Sequence, residues 1–155
     1  MQVGIDIAIL EPRWSEALTD IEALCLRAAK AAANAYGHAQ SQELSIAFID
    51  DAQIARLNAD YRGKDTPTNV LSFPADGHNP AMGDIVIAFE TCQREARDKA
   101  VSLSDHTSHL LIHGYLHLCG YDHEDDSEAQ IMETLEIQAL AALNIANPYE
   151  DSNAG

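Results

Sequence analysis

The run His113-Gly114-Tyr115-Leu116-His117-Leu118-Cys119-Gly120-Tyr121-Asp122-His123 holds the side chains best suited to chemistry in this chain. Residues four apart lie one above the other on a helix face, so His113 and His117 can bind one metal ion without bending the backbone. Gly120 can take the left-handed conformation that ends a helix, and the turned chain can then bring His123 back as a third ligand. Three protein ligands leave a fourth position for water, which separates a catalytic zinc site from a closed structural one. Three ordinary histidines on a partly buried helix would not require a glycine at the turning point.

The spacing is that of the metzincin proteases, His-Glu-x-x-His-x-x-Gly-x-x-His, with one change. Gly114 stands where those enzymes carry the glutamate that serves as general base. The metal cage is therefore present in the sequence while the usual proton acceptor is missing. His109, one turn before His113, is the rival ligand. Successive helical turns rise about 5.4 Å whereas zinc–nitrogen bonds are about 2 Å, so three turns cannot converge on one ion. His109 reads instead as a core residue or a support for the ligands. Cys119, two residues from His117, points away from the histidine face and reads as core. Asp122 could orient a ligand as a hydrogen-bond acceptor, with capping or solvent exposure as the plainer alternatives.

A second constellation runs from Tyr61 to Pro74. Arg62 and Lys64 at a helix end could simply neutralise its negative pole. Thr66, Thr68, Asn69 and Ser72 add donors and acceptors beside them, in a loop of the kind that carries function.

The elements that must position these groups follow from the pattern of apolar residues. Val3, Ile5, Ile7 and Ile9 alternate as in a half-buried strand from Val3 to Leu10. Trp14, Leu18, Ile21, Cys25, Ala28 and Ala32 then form one helical stripe that starts after Pro12 and ends at Gly37. Leu44 to Ile49 reads as a strand. Asp50 or Asp51 can cap a helix bearing Ile54, Leu57 and Tyr61, which Gly63 stops. Strands are expected at Asn69–Phe73 and Asp84–Ala88, with a loop from Ala75 to Gly83 between them. A helix from about Glu90 to Ala100 follows, then the metal helix capped by Ser104. The last helix starts at Asp125 or Asp126 and carries Met132, Leu135, Ala139 and Leu143 on one side. Strands early and helices late make an α+β domain, a small mixed sheet of about four strands with helices packed on one side.

Residues 1–155 are most simply one domain, with 46% hydrophobic and 22% charged residues. The N-terminus lacks a basic region and carries Asp6, so no signal peptide is expected, and no apolar run approaches membrane-spanning length. Cys25, Cys92 and Cys119 are odd in number and widely spaced, which suits reduced thiols in a cytoplasm. The formal net charge is −16, and no Lys or Arg follows Lys99. Arg94, Arg97 and Lys99 form a second basic group that reads best as a solvated face. Phosphate affinity comes from cations, so any role on nucleic acid must be local.

The chain resembles the YbeY-type endoribonucleases, the rRNA maturation factors. The resemblance rests on Leu57-Asn58, Tyr61-Arg62-Gly63-Lys64-Asp65, Pro67-Thr68-Asn69-Val70-Leu71-Ser72-Phe73-Pro74, Gly83-Asp84-Ile85, His109-Leu110 and the run from His113 to His123. It extends from about residue 44 to Asn147-Pro148-Tyr149. It implies a zincin-like α+β fold with the metal site on a C-terminal helix and the following turn. It also implies zinc held by His113, His117 and His123, and cleavage of single-stranded rRNA in ribosome maturation or quality control. Arg62 becomes the functional arginine of the substrate groove.

On this reading the protein is a zinc-dependent endoribonuclease in which Arg62 and, through the metal, His113 are catalytic. A three-histidine zinc site can lower the pKa of water to about 7, which relieves the need for the glutamate that Gly114 replaces. Other divalent transition metals fit imidazole ligands too. Arg62 would stabilise charge on the phosphate oxygens, with Lys64 a weaker helper. Ribosomal proteins of the small subunit are the candidate partners for the acidic surface. Two alternatives use the same residues differently: a metallopeptidase, which the missing glutamate disfavours, and a non-catalytic ribosome-assembly factor with a structural metal.

Overall fold

The computed structural model describes residues 3–38, 42–75, 81–121 and 126–149. Four strands, β1 (Val3–Ile9), β2 (Gln42–Ile49), β3 (Val70–Pro74) and β4 (Ala81–Ala88), form one sheet in the order β1-β2-β4-β3. β1, β2 and β4 are parallel, and β3 runs antiparallel to β4. With the six helices described, this is the small mixed-sheet α+β architecture that the sequence predicts.

Successive strand residues point to opposite faces, and β4 shows what each face does. Ile85 and Ile87 enter the larger core, while Val86 and Ala88 turn to a smaller one. The larger core is closed by α2 (Ile21–Tyr36), α5 (Leu103–Leu118) and α6 (Asp126–Ala142) through Leu24, Ile112, Leu116 and Met132. The smaller one gathers Ile49, Leu71 and Val86 around Ile54 of α3 (Asp51–Arg62). Helices therefore lie on both faces, not on one. α3 begins directly after β2, with Asp50 accepting from Gln53 N in a capping box, and its Ile54 packs in the same cluster as Ile49.

Three further boundaries differ from expectation. The stripe from Trp14 to Ala32 is two helices, α1 (Arg13–Ala17) and α2, because Leu18 is extended and Asp20 caps the second by accepting from Ala23 N. The periodicity survives the break because Trp14 is sealed independently. Its Nε1 donates to Ile49 O at 3.0 Å, and its ring meets Phe48 and Phe89 edge-on. β4 starts at Ala81, inside the stretch read as loop, because pairing with β2 and β3 continues past Asp84 to Gly83 and Ala81. The cap of α5 is Ser102, whose hydroxyl accepts from Asp105 N; Ser104 lies in the first turn. Helix α4 (Phe89–Asp98) follows β4 without a linker.

Candidate active site

α5 carries His113 and His117, and Gly114 between them sets how closely this helix approaches the sheet. A Cβ at position 114 would lie 3.1 Å from Ser72 Oγ and from two side-chain carbons of Ile85. Ser72 Oγ donates to the Gly114 carbonyl at 3.2 Å. The position of the metzincin glutamate thus faces the underside of β3 and β4, where a side chain would press on Ser72 and Ile85.

The two imidazoles stand 4.6 Å apart between centroids, with their planes at 84°. His117 Nδ1 donates to the Tyr121 carbonyl at 2.9 Å. That carbonyl is brought back by the turn at Gly120, whose φ is +105° and whose N–H bonds His117 O. This is the helix-ending turn the glycine predicts. His113 Nδ1 lies 3.3 Å from Glu136 Oε2. A ring that donates from Nδ1 carries its lone pair on Nε2, so both histidines are held in the tautomer that ligates through Nε2.

Glu136, on α6, is fully buried. Its Oε1 accepts from His109 Nε2 at 2.7 Å and from the Tyr149 hydroxyl at 2.8 Å. Burial acts to raise its pKa, but the hydrogen bonds from His109 and His113 and the attraction of those rings pull it down to about 2. Burial, then the charge of Glu136, pushes the Tyr149 phenol upward, so it remains a donor. His109 is accordingly a buried support and not a ligand rival, as its place in the helix predicts.

Arg62 ends α3. Gly63 caps that helix at φ +71°, a left-handed value glycine adopts without strain. The buried Asn58 then fastens the returning segment by donating from Nδ2 to Thr66 O at 2.9 Å. The result is a cleft of about 380 Å³ whose walls include Arg62, Thr68, Asn69, Ser72, His113 and His117. Three of the four expected site residues meet there, although Arg62 and His113 are far apart in sequence. The fourth, His123, lies outside the described residues, as does Asp122. Among the described residues no three His, Cys, Asp or Glu side chains form a metal-holding group. Lys64, Arg94 and Arg97 are exposed and do not line the cleft. No described carboxylate lines it either.

Glu136 and Tyr149 were not read from the sequence. Glu136 leaves one trace, a charge on the apolar side of α6 between the buried Met132 and Leu140. Tyr149 marks only the end of the stretch that the family resemblance covers, with no role attached. Glu95 and His106, which hold Asn69 from behind, also carry no distinguishing pattern.

The model of the family described as Endoribonuclease YbeY matches residues 10–144, from before α1 to beyond α6. The chain belongs to the YbeY endoribonuclease family. Relatives called Endoribonuclease YbeY share this length. The protein of Paramagnetospirillum magneticum is 48% identical, with 96% of each chain covered. That of Rhizobium etli is 45% identical over 96% of this chain and 94% of its own. The Sphingopyxis alaskensis protein is 51% identical over 72% of this chain and 73% of its own. Among solved structures, the solution structure of TM1509 from Thermotoga maritima aligns with TM-score 0.58 and 26% identity, covering 97% of this chain and 98% of that one. The YbeY match spans every element that builds the cleft.

Proposed function

We propose that this YbeY-family chain is a zinc-dependent, single-strand-specific endoribonuclease acting on rRNA during ribosome maturation, with its chemistry in the cleft between α3, β3 and α5. The observation that carries the proposal is the meeting of Arg62 with His113 and His117 in one cleft. The histidines fit a divalent ion because Glu136 and Tyr121 O fix both rings with Nε2 as the ligating atom. His123 would complete the set.

When bound, the ion supplies the Lewis acidity that activates water at neutral pH. The protein's own part is positioning and charge. Arg62 would place its planar, permanently charged fork on the non-bridging phosphate oxygens and offset the charge that builds up as the phosphodiester is attacked. Lys64, two residues on, adds positive potential at the mouth. Thr68 and Asn69 offer polar contacts to the flanking nucleotide.

The metallopeptidase alternative loses ground because Gly114 stands where such enzymes carry their glutamate, and a side chain there would press on Ile85 and Ser72. A cytoplasmic location and contacts between the acidic surface and basic small-subunit ribosomal proteins complete the reading. It agrees with the absence, among the described residues, of any helix long and apolar enough to cross a membrane. The test is cleavage of a single-stranded RNA by wild type and by Arg62→Ala, with the metal content of each measured. Loss of cleavage with metal and melting temperature retained supports the mechanism. Full cleavage by Arg62→Ala removes Arg62 from it.

A further inference from the structure

Asn69 is held through both its backbone and its side chain, and the way it is held dictates what it can recognise. Its carbonyl accepts from Ala88 N at 3.0 Å and from Cys92 Sγ at 3.8 Å, which fixes the backbone. Its side-chain Nδ2 donates to Glu95 Oε1 at 3.0 Å. The same oxygen accepts from Nε2 of His106, a residue only 2% exposed, at 2.8 Å. A carboxylate accepts and never donates, so Glu95 can bind only the nitrogen end of the Asn69 amide. The amide is therefore locked in one of its two orientations. Among the described residues Oδ1 has no hydrogen-bond partner, yet it is not one of their buried unsatisfied atoms. Asn69 lines the cleft and Glu95 does not. Asn69, a residue of the cleft wall, thus carries a preorganised acceptor that cannot rotate to become a donor.

An acceptor of this kind selects a donor, and the phosphate group has none to offer. We propose that Asn69 Oδ1 accepts a hydrogen bond from a ribose 2′-hydroxyl of the bound strand, with Glu95 and His106 as positioning residues that keep the oxygen turned toward it. The 2′-hydroxyl is the group by which a protein tells RNA from DNA at a given position. A buried site built to bond a hydroxyl penalises the analogue lacking it, because its own polar group is then left unpaired. The proposal rests on the endoribonuclease reading above and adds to it the source of sugar discrimination. A purely structural tie between β3 and α4 would need the Nδ2–Glu95 bond as well, but would predict nothing about the substrate sugar.

The experiment is a chemical double-mutant cycle. A short single-stranded RNA that the wild type cleaves is made with one 2′-hydroxyl at a time replaced by hydrogen. Relative kcat/KM values are then measured by internal competition for wild type, Asn69→Ala and Glu95→Gln. At one nucleotide the wild type should lose roughly fivefold, Asn69→Ala should show no penalty at that same nucleotide, and Glu95→Gln should show a reduced one. A glutamine at 95 can donate as well as accept, so it no longer enforces the amide's orientation. Glu95→Gln also keeps the test decisive should Asn69→Ala fold poorly. Equal penalties in all three proteins at every nucleotide would overturn the proposal. So would a penalty that vanishes only for a base analogue lacking its exocyclic amine, which would assign the acceptor to a base. Failure of the wild type to cleave the unmodified RNA would instead overturn the endoribonuclease reading itself.

Discussion

Glu136 on α6 reaches His113 on α5 with its Oε2 while its Oε1 holds His109 and Tyr149. One buried carboxylate therefore orients a candidate ligand, braces the preceding turn and fastens the C-terminal tail against the same helix. Such a contact fixes the ring and raises its basicity toward a metal.

Replacing Glu136 by Gln keeps the volume but removes the charge and one of the two acceptor atoms. Metal affinity should fall by about 10- to 100-fold, as measured by competition with a chromophoric chelator. A cobalt-substituted sample should show a shifted visible spectrum, a change that loss of packing alone would not produce. Unchanged affinity and spectrum would show that Glu136 is merely buried there.

Arg62 is exposed and lines the cleft, so Arg62→Ala should leave the melting temperature near the wild-type value. Cleavage should drop by about 10²- to 10³-fold. Arg62→Lys should recover part of this, since charge returns without the bidentate fork. A lower melting temperature for Arg62→Ala would mark the residue as structural.

Much of this was legible in the sequence, for reasons that differ by residue. His113, His117 and Gly120 are local: helical spacing and one glycine turn suffice to define them, and the structure builds that turn. Arg62 was visible as part of a polar segment, but its approach to the histidines depends on Asn58 fastening the loop and on β3 lying beside α5, neither of which has a local signature. Glu136 and Tyr149 join α5 only through tertiary packing. The split between α1 and α2 was hidden because an extended residue at Leu18 does not interrupt the burial of Trp14 and Ile21. The early start of β4 was hidden because strand pairing overrode a composition typical of loops.

Gly114→Ala should destabilise the protein by up to about 1 kcal/mol, because the pressure of the new methyl on Ile85 and Ser72 exceeds the gain of alanine over glycine inside a helix. Chemical denaturation would show this as a lower midpoint with an unchanged slope. Gly114→Glu should fail to gain peptide hydrolysis and should destabilise more.

Glu95 should make the fold acid-sensitive. The hydrogen bond from His106, followed by that from Asn69, outweighs burial and holds its carboxyl below the ordinary value of 4.5. Stability from a carboxylate with a lowered folded-state pKa is fully present above the unfolded value and is lost as pH falls through the folded one. The melting temperature should therefore decline below about pH 4.5, and less steeply in Glu95→Gln. Parallel pH curves for the two proteins would contradict this.

On the proposed mechanism one metal ion, held by His113, His117 and His123 beside Arg62, is needed for RNA cleavage. The most direct measurement is cleavage of a single-stranded RNA by protein stripped of metal, followed by titration with zinc. Stripped protein should be folded and inactive, and activity should return in proportion to zinc up to one equivalent per chain. Full cleavage by protein shown by elemental analysis to be metal-free would contradict the claim.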